Sequence, residues 1–150
     1  MRRLKRSPVG DAPLFVYGSL MRGQQADGYL ADRRIVQATT LGRLYRVPAG
    51  YPALVADRSG QPIFGELVLD PTPGLFTVLD LYEGVPNGLY RRELVQVKRL
   101  DDGASTSPGQ QQALFARTLR AWAYVVSDSQ ARARRYHPLD VTDWRKVSRR

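Results

Sequence analysis

One carboxylate in this chain sits where a helix ordinarily carries an apolar side chain. The stretch GLFTVLDLYEG, residues 74–84, follows Asp-Pro-Thr-Pro, in which Thr72 can cap a helix and Pro73 suits its first position. Counting about 100° per residue from Leu75, Leu79 falls at about 40°, Phe76 at about 100° and Tyr82 at about 340°, which defines an apolar stripe. Asp80 falls at about 140°, on the edge, and Glu83 at about 80°, inside the stripe and one residue before Gly84 ends the helix. A carboxylate held against apolar neighbours resists ionisation, which suits it to moving protons near neutral pH. The same placement also suits a glutamate that turns outward at the helix end, or one that pairs with Arg91 or Arg92.

A second stretch with chemical content is LFVYGSL, residues 14–20. An apolar strand ending in Gly18 lets the backbone turn sharply and approach a ligand closely. Successive N–H groups in such a turn form a concavity for an anion. A plain strand end gives the same pattern. Ser19 as a nucleophile would need a histidine base, and the one histidine, His137, lies before a proline in a charged C-terminal stretch. With no cysteine and one histidine, the chain excludes disulfides, thiolate zinc sites, cysteine nucleophiles and multi-histidine metal sites. Asp101-Asp102 reads as a loop tip.

The elements that must position these residues are mostly strands. Leu14–Tyr17 reads as a short buried strand, residues 24–33 as one or two helical turns, and Ile35–Tyr45 as a strand bent or bulged at Gly42. PAGYP, residues 48–52, is a turn; Ala53–Ala56 and Ile63–Leu69 are strands flanking a loop at Asp57–Pro62. After the helix, Tyr90–Arg99 and Arg120–Val126 are strands, separated by a loop-like DDGASTSPGQQQ at 101–112. About six strands and one helix without regular βα alternation predict an α+β domain with a mixed or largely antiparallel sheet, open or closed into a barrel.

The chain has 150 residues, enough for one domain with its own core. Its net charge of +9 is concentrated at the ends. Residues 1–13 carry four basic residues against Asp11, and residues 129–150 carry seven against Asp140 and Asp143, so the stretch between is nearly neutral. This predicts a basic N-terminal extension over 1–13, a domain over 14–128 and a basic C-terminal extension over 129–150, dispensable for the chemistry unless Trp144 docks on the domain. Basic ends can touch nucleic acid or anionic membrane by charge alone, but no RNA-type interleaving of aromatic and basic residues is present. No apolar run reaches membrane-spanning length and no secretory leader pattern is seen, which predicts a cytoplasmic protein.

Taken together, VYGSLMRG, GYPALV, FGELVLD, LDLYEGVPNGLYRRELV and AWAYVV, in this order from Leu14 to Val126, resemble the gamma-glutamylcyclotransferase-like family. The resemblance implies a small mixed, mostly antiparallel β-barrel with flanking helices. It implies a cofactor-independent and metal-independent cyclisation of a small gamma-glutamyl substrate, releasing 5-oxoproline and an amine or amino acid. It implies Glu83 as the proton carrier, Tyr17, Gly18, Ser19 and Leu20 as the substrate-gripping loop, and Tyr124 as a pocket residue. Two other classes stay open at this point: a non-catalytic small-ligand binder of the same fold, and an adaptor acting through the basic ends.

Overall fold

The computed structural model describes residues 12–100 and 118–147. Seven strands are present: β1 (Leu14–Val16), β2 (Ile35–Arg46), β3 (Pro52–Ala56), β4 (Gln61–Val68), β5 (Arg91–Arg99), β6 (Thr118–Val125) and β7 (His137–Pro138). Two α-helices, α1 (Pro73–Tyr82) and α2 (Asp128–Ala133), and short 3-10 turns complete the described elements. The strand pairings β2–β4, β4–β1, β1–β6, β6–β5 and β5–β2 close a five-stranded ring, with β3 and β7 added to the outer half of β2. Only the β1–β6 pair is parallel, so the barrel is mixed and mostly antiparallel.

The period of two along each strand sorts side chains between two cores. Phe15 and Tyr17 of the first strand, Ala121, Ala123 and Val125 of β6, and Ile63 and Leu67 of β4 fill the barrel interior. Alternate residues, Leu14, Val16 and Tyr124, face outward and are covered by Leu75 and Leu79 of α1. Alanines at 38, 121 and 123 are what so narrow a barrel admits beside Phe15 and Tyr17.

Helix α1 begins as its sequence dictates: the Thr72 side chain accepts the Leu75 N–H at 3.2 Å and Pro73 occupies the first turn. It ends with Glu83 as its C-cap and Gly84 at φ 70°. Gly42, expected to bend or bulge β2, instead lies in an unbroken register opposite both Ala56 and Gln61. There β2 has exchanged β5 for β3 as its neighbour, and a Cβ at 42 would come within 2.5 Å of the Val55 carbonyl oxygen. Close backbone approach, not a bulge, is the reason for glycine.

The C-terminal stretch differs most from expectation. From 128 to 147 it packs on the barrel instead of extending from it. Ala131 and Tyr136 are buried against Ala53, Val55 and Val126. His137–Pro138 pairs with β2, the Phe64 N–H donates to the Thr142 carbonyl at 2.8 Å, and Trp144 packs against both cores. Charge count alone hid this, because the apolar anchors Ala131, Tyr136, Leu139, Val141 and Trp144 are spread singly among basic residues. The loop-like segment at 101–112 and residues 1–11 of the N-terminal extension lie outside the described residues. Among the described residues, no helix is long and apolar enough to cross a membrane.

Candidate active site

The end of β1, the end of α1 and the start of β3 meet around a cavity of about 180 Å³. Tyr17, Gly18, Ser19, Leu20, Glu83 and Tyr124, the residues that the resemblance assigns to the site, all line it. Tyr51, Pro52, Tyr82, Leu89 and Tyr90 line it too. None of these five was singled out as a site residue. Pro52 and Tyr51 read as turn residues and Tyr82 as part of the buried stripe, whereas Tyr82 is 41% exposed and faces the cavity mouth.

Glu83 is the one ionisable acid or base of ordinary aqueous range among the lining residues. Burial pushes its carboxyl up to about 7. The two arginines that might have neutralised it are committed elsewhere. Arg92 forms a two-pronged pair with Asp80, at 2.9 and 3.2 Å, and Arg91 pairs with Glu93. Among the described residues nothing else hydrogen-bonds or ion-pairs with the Glu83 side chain. The helix geometry explains the separation: Asp80, on the edge of the stripe, reaches the arginine, whereas Glu83 lies one turn further along and faces the cavity.

Two tyrosines are held by the barrel. The Tyr17 hydroxyl donates to the Tyr124 carbonyl at 2.6 Å and accepts the Leu54 N–H at 3.1 Å. Burial, and then the nearby Tyr90 and Glu83, raise its pKa well above the usual phenol range. The Tyr124 hydroxyl donates to Asp80 Oδ1 at 2.7 Å, so it ties β6 to α1 and its proton is spent on the helix. Asp80 is buried enough to favour the neutral acid, but the bonds from Arg92 and Tyr124 outweigh that and hold its carboxyl below the ordinary value. Tyr90 donates to the Pro52 carbonyl at 2.5 Å and fixes the opposite wall.

The loop after β1 presents donors. Met21 N–H donates to the Gly18 carbonyl at 3.0 Å and Ala26 N–H to the Ser19 carbonyl at 2.8 Å. The N–H groups of Gly18, Ser19 and Leu20 have no acceptor among the described residues, and all three residues line the cavity. Gly18 has a different reason from the one expected. A Cβ there would stand 2.7 Å from Pro52 Cγ, so glycine admits the proline wall rather than the ligand itself. Ser19 Oγ lies 2.9 Å from the Tyr82 hydroxyl. His137 pairs with β2 and does not line the cavity, so Ser19 has no histidine base.

Sequence reasoning also passed over Glu66, which is 3% exposed. Its Oε1 accepts the Arg22 N–H at 2.7 Å, and Arg145 Nη1 lies 3.5 Å from its Oε2. Strand alternation places it on the outer face of the barrel, where a glutamate reads as solvated; the residues that bury it come from distant parts of the chain.

Solved structures share this fold. YkqA from Bacillus subtilis matches with a TM-score of 0.62 and 22% identity over 90% of this chain; the chain spans 40% of the length of that protein. A protein from Arabidopsis thaliana matches with a TM-score of 0.61 and 23% identity, over 89% of this chain and 72% of that one. An AIG2-like protein from Mus musculus matches with a TM-score of 0.57 and 22% identity, over 77% and 76% of the two chains. No curated protein matches the chain in sequence. Residues 14–146 match the family described as gamma-glutamyl cyclotransferase, AIG2-like, and with that match spanning barrel, cavity and C-terminal turn, the chain belongs to this family.

Proposed function

We propose that the protein is a gamma-glutamyl cyclotransferase that uses Glu83 as its only proton-transferring side chain. The observation that carries this reading is the pairing, along one cavity, of a carboxyl raised to about 7 with a loop of three backbone N–H groups that have no acceptor among the described residues. The α-carboxylate of a gamma-glutamyl amide suits those N–H groups, as an anion suits any such nest. With the carboxylate held there, the α-ammonium is turned toward Glu83.

Ionised Glu83 takes a proton from the ammonium. The freed amine attacks the γ-carbonyl carbon of the same molecule, and a five-membered ring closes. The tetrahedral carbon then breaks its bond to the original amide nitrogen as protonated Glu83 returns its proton to that nitrogen; the regenerated carboxylate takes the extra proton left on the ring nitrogen and passes it to the freed amine, which departs as an ammonium. The products are 5-oxoproline and a free amine or amino acid. Because nucleophile and electrophile belong to one molecule, holding the chain folded supplies much of the rate. A carboxyl that titrates near 7 is half ionised at the pH where it must both accept and donate. Tyr17, Tyr90 and Tyr124 contribute walls and keep the loop and helix end in register. The enzyme so read is cytoplasmic and needs no cofactor.

A panel of gamma-glutamyl amines and gamma-glutamyl amino acids, assayed for 5-oxoproline, tests this. Release is expected from at least one of them, and Glu83→Gln should lower turnover by roughly 10²–10⁴-fold, the span typical of general acid–base groups. A folded Glu83→Gln protein with near-normal turnover would overturn the mechanism; no release from any compound would overturn the activity.

A further inference from the structure

Glu66 joins three parts of the molecule that are far apart in sequence. Its Oε1 takes the N–H of Arg22, at the far end of the turn that begins at Gly18. Its Oε2 lies 3.4 Å from the Gln37 side-chain amide and 3.5 Å from Arg145 Nη1. Arg145 is itself aimed by Asp143, through Nε to Oδ1 at 2.9 Å and Nη2 to Oδ2 at 3.1 Å, and it donates to Gln37 Oε1 at 3.0 Å. A carboxylate 3% exposed requires such partners, because unpaired burial of its charge is costly.

The position of the Arg22 bond gives this cluster a consequence for the cavity. In a trans peptide the C=O and the following N–H point in opposite directions. The Gly18 carbonyl accepts from Met21 and the Ser19 carbonyl from Ala26, so the Ser19 and Leu20 N–H groups are turned the other way. The Met21 carbonyl accepts from Gln24 at 2.9 Å, and the N–H of the same peptide, that of Arg22, is the one fixed by Glu66. The Glu66 bond therefore locks the last peptide of the turn whose earlier residues, Gly18, Ser19 and Leu20, line the cavity.

We propose that Glu66, with Arg145 as its counter-ion, is a positioning residue that holds the 18–20 N–H groups in the geometry that receives a carboxylate. This rests on the reading of those N–H groups given under the proposed function. The C-terminal turn thereby contributes to ligand recognition without touching the ligand. Removing the acceptor, or leaving it without its guanidinium, loosens the loop and weakens binding of the carboxylate part of a ligand only.

The test compares two ring compounds that differ by that carboxylate, 5-oxoproline and 2-pyrrolidinone, titrated by NMR into the full chain. In Glu66→Leu, which removes the acceptor, and in Arg145→Met, affinity for 5-oxoproline should fall by about tenfold or more, the loss expected when hydrogen bonds to a charged group are misaligned. Affinity for 2-pyrrolidinone should stay within about twofold, since no bond to the loop N–H groups is lost. Arg145→Lys, which keeps the charge but not the fork, should fall between Arg145→Met and the parent. Equal losses for both compounds would mean general damage to the site, and no loss for either would mean the loop holds itself; both outcomes overturn the proposal. If Glu66→Leu does not fold, the two Arg145 variants decide by the same comparison. A parent protein that binds neither compound would overturn the site reading itself, a result distinct from failure of the positioning role.

Discussion

Glu83 has a protonation preference that runs against stability. Its folded pKa, about 7, lies above the ordinary value of 4.5. Between those values the folded state binds more protons than the unfolded state, so stability falls as pH rises from about 4.5 to 7 and stays reduced above it. At about 1.4 kcal/mol per unit, the ionised form costs at most on the order of 3 kcal/mol. Glu83→Gln should therefore melt at a higher temperature than the parent at pH 8 and at a similar temperature at pH 4. Melting curves across that range check this, and a constant difference would show that the carboxyl is not so placed. Gly18→Val is expected to lower both melting temperature and ligand affinity, because its Cβ would displace Pro52, whose carbonyl anchors Tyr90. Local periodicity put Glu83 on the buried face of the helix, but only the family resemblance preferred it to a glutamate turned outward or paired with Arg91 or Arg92. The duties of Tyr17 were not legible: its hydroxyl partners, the Tyr124 carbonyl and the Leu54 N–H, lie 107 and 37 residues away.

Helix α1 carries Glu83, so whatever docks the helix sets the aim of the carboxyl. Apolar contact comes from Leu75 and Leu79, and direction comes from Asp80, which receives both Arg92 and the Tyr124 hydroxyl. The Arg92 guanidinium also lies 4.4 Å from the centre of the Phe76 ring and 4.8 Å from that of Trp122, so it binds helix to barrel by face as well as by edge. Asp80→Asn would strand a partly buried guanidinium; it should lower stability by roughly 1–3 kcal/mol and reduce turnover through misplacement of Glu83. Tyr124→Phe removes one hydrogen bond and should lower stability by about 1 kcal/mol. Its Michaelis constant should stay within a few-fold if the hydroxyl serves the helix, and a large rise there would return Tyr124 to direct ligand contact. The helix itself was readable end to end, because Thr72, Pro73 and Gly84 are local signals. Its salt link was not, because alternation along β5 and β6 says which residues face outward but not that one acidic residue on a helix will meet Arg92 and Tyr124 together.

Over the whole molecule, the basic C-terminal end belongs to the fold, although composition sets it apart as an extension. Residues 1–11 lie outside the described residues, whereas 128–147 pack on the barrel: the Leu139 N–H donates to the Leu44 carbonyl at 2.9 Å, the Phe64 N–H donates to the Thr142 carbonyl, and Arg145 Nη1 lies 3.5 Å from Glu66 Oε2. The barrel strands were visible as apolar alternation, but the segment packed on them was not, since isolated anchors in a charged stretch give no periodic signal. Trp144 was the one residue there that hinted at docking, and it packs on both cores with Arg46 stacked 5.6 Å from its ring centre. The two truncations should therefore part company. Removing 1–11 should leave kinetic constants for a small gamma-glutamyl substrate within a few-fold, while lowering affinity for polyanions and its dependence on salt. Removing 139–150 takes away Trp144, worth roughly 3–5 kcal/mol by analogy with large-to-small core changes, and leaves Glu66 buried without its arginine. Against a total stability of about 5–15 kcal/mol, that loss should lower the melting temperature sharply and abolish turnover. Melting and turnover measured together on both truncations decide the matter. A 139–150 deletion that melts and turns over like the parent would mean that the C-terminal turn neither braces the barrel nor supports the site.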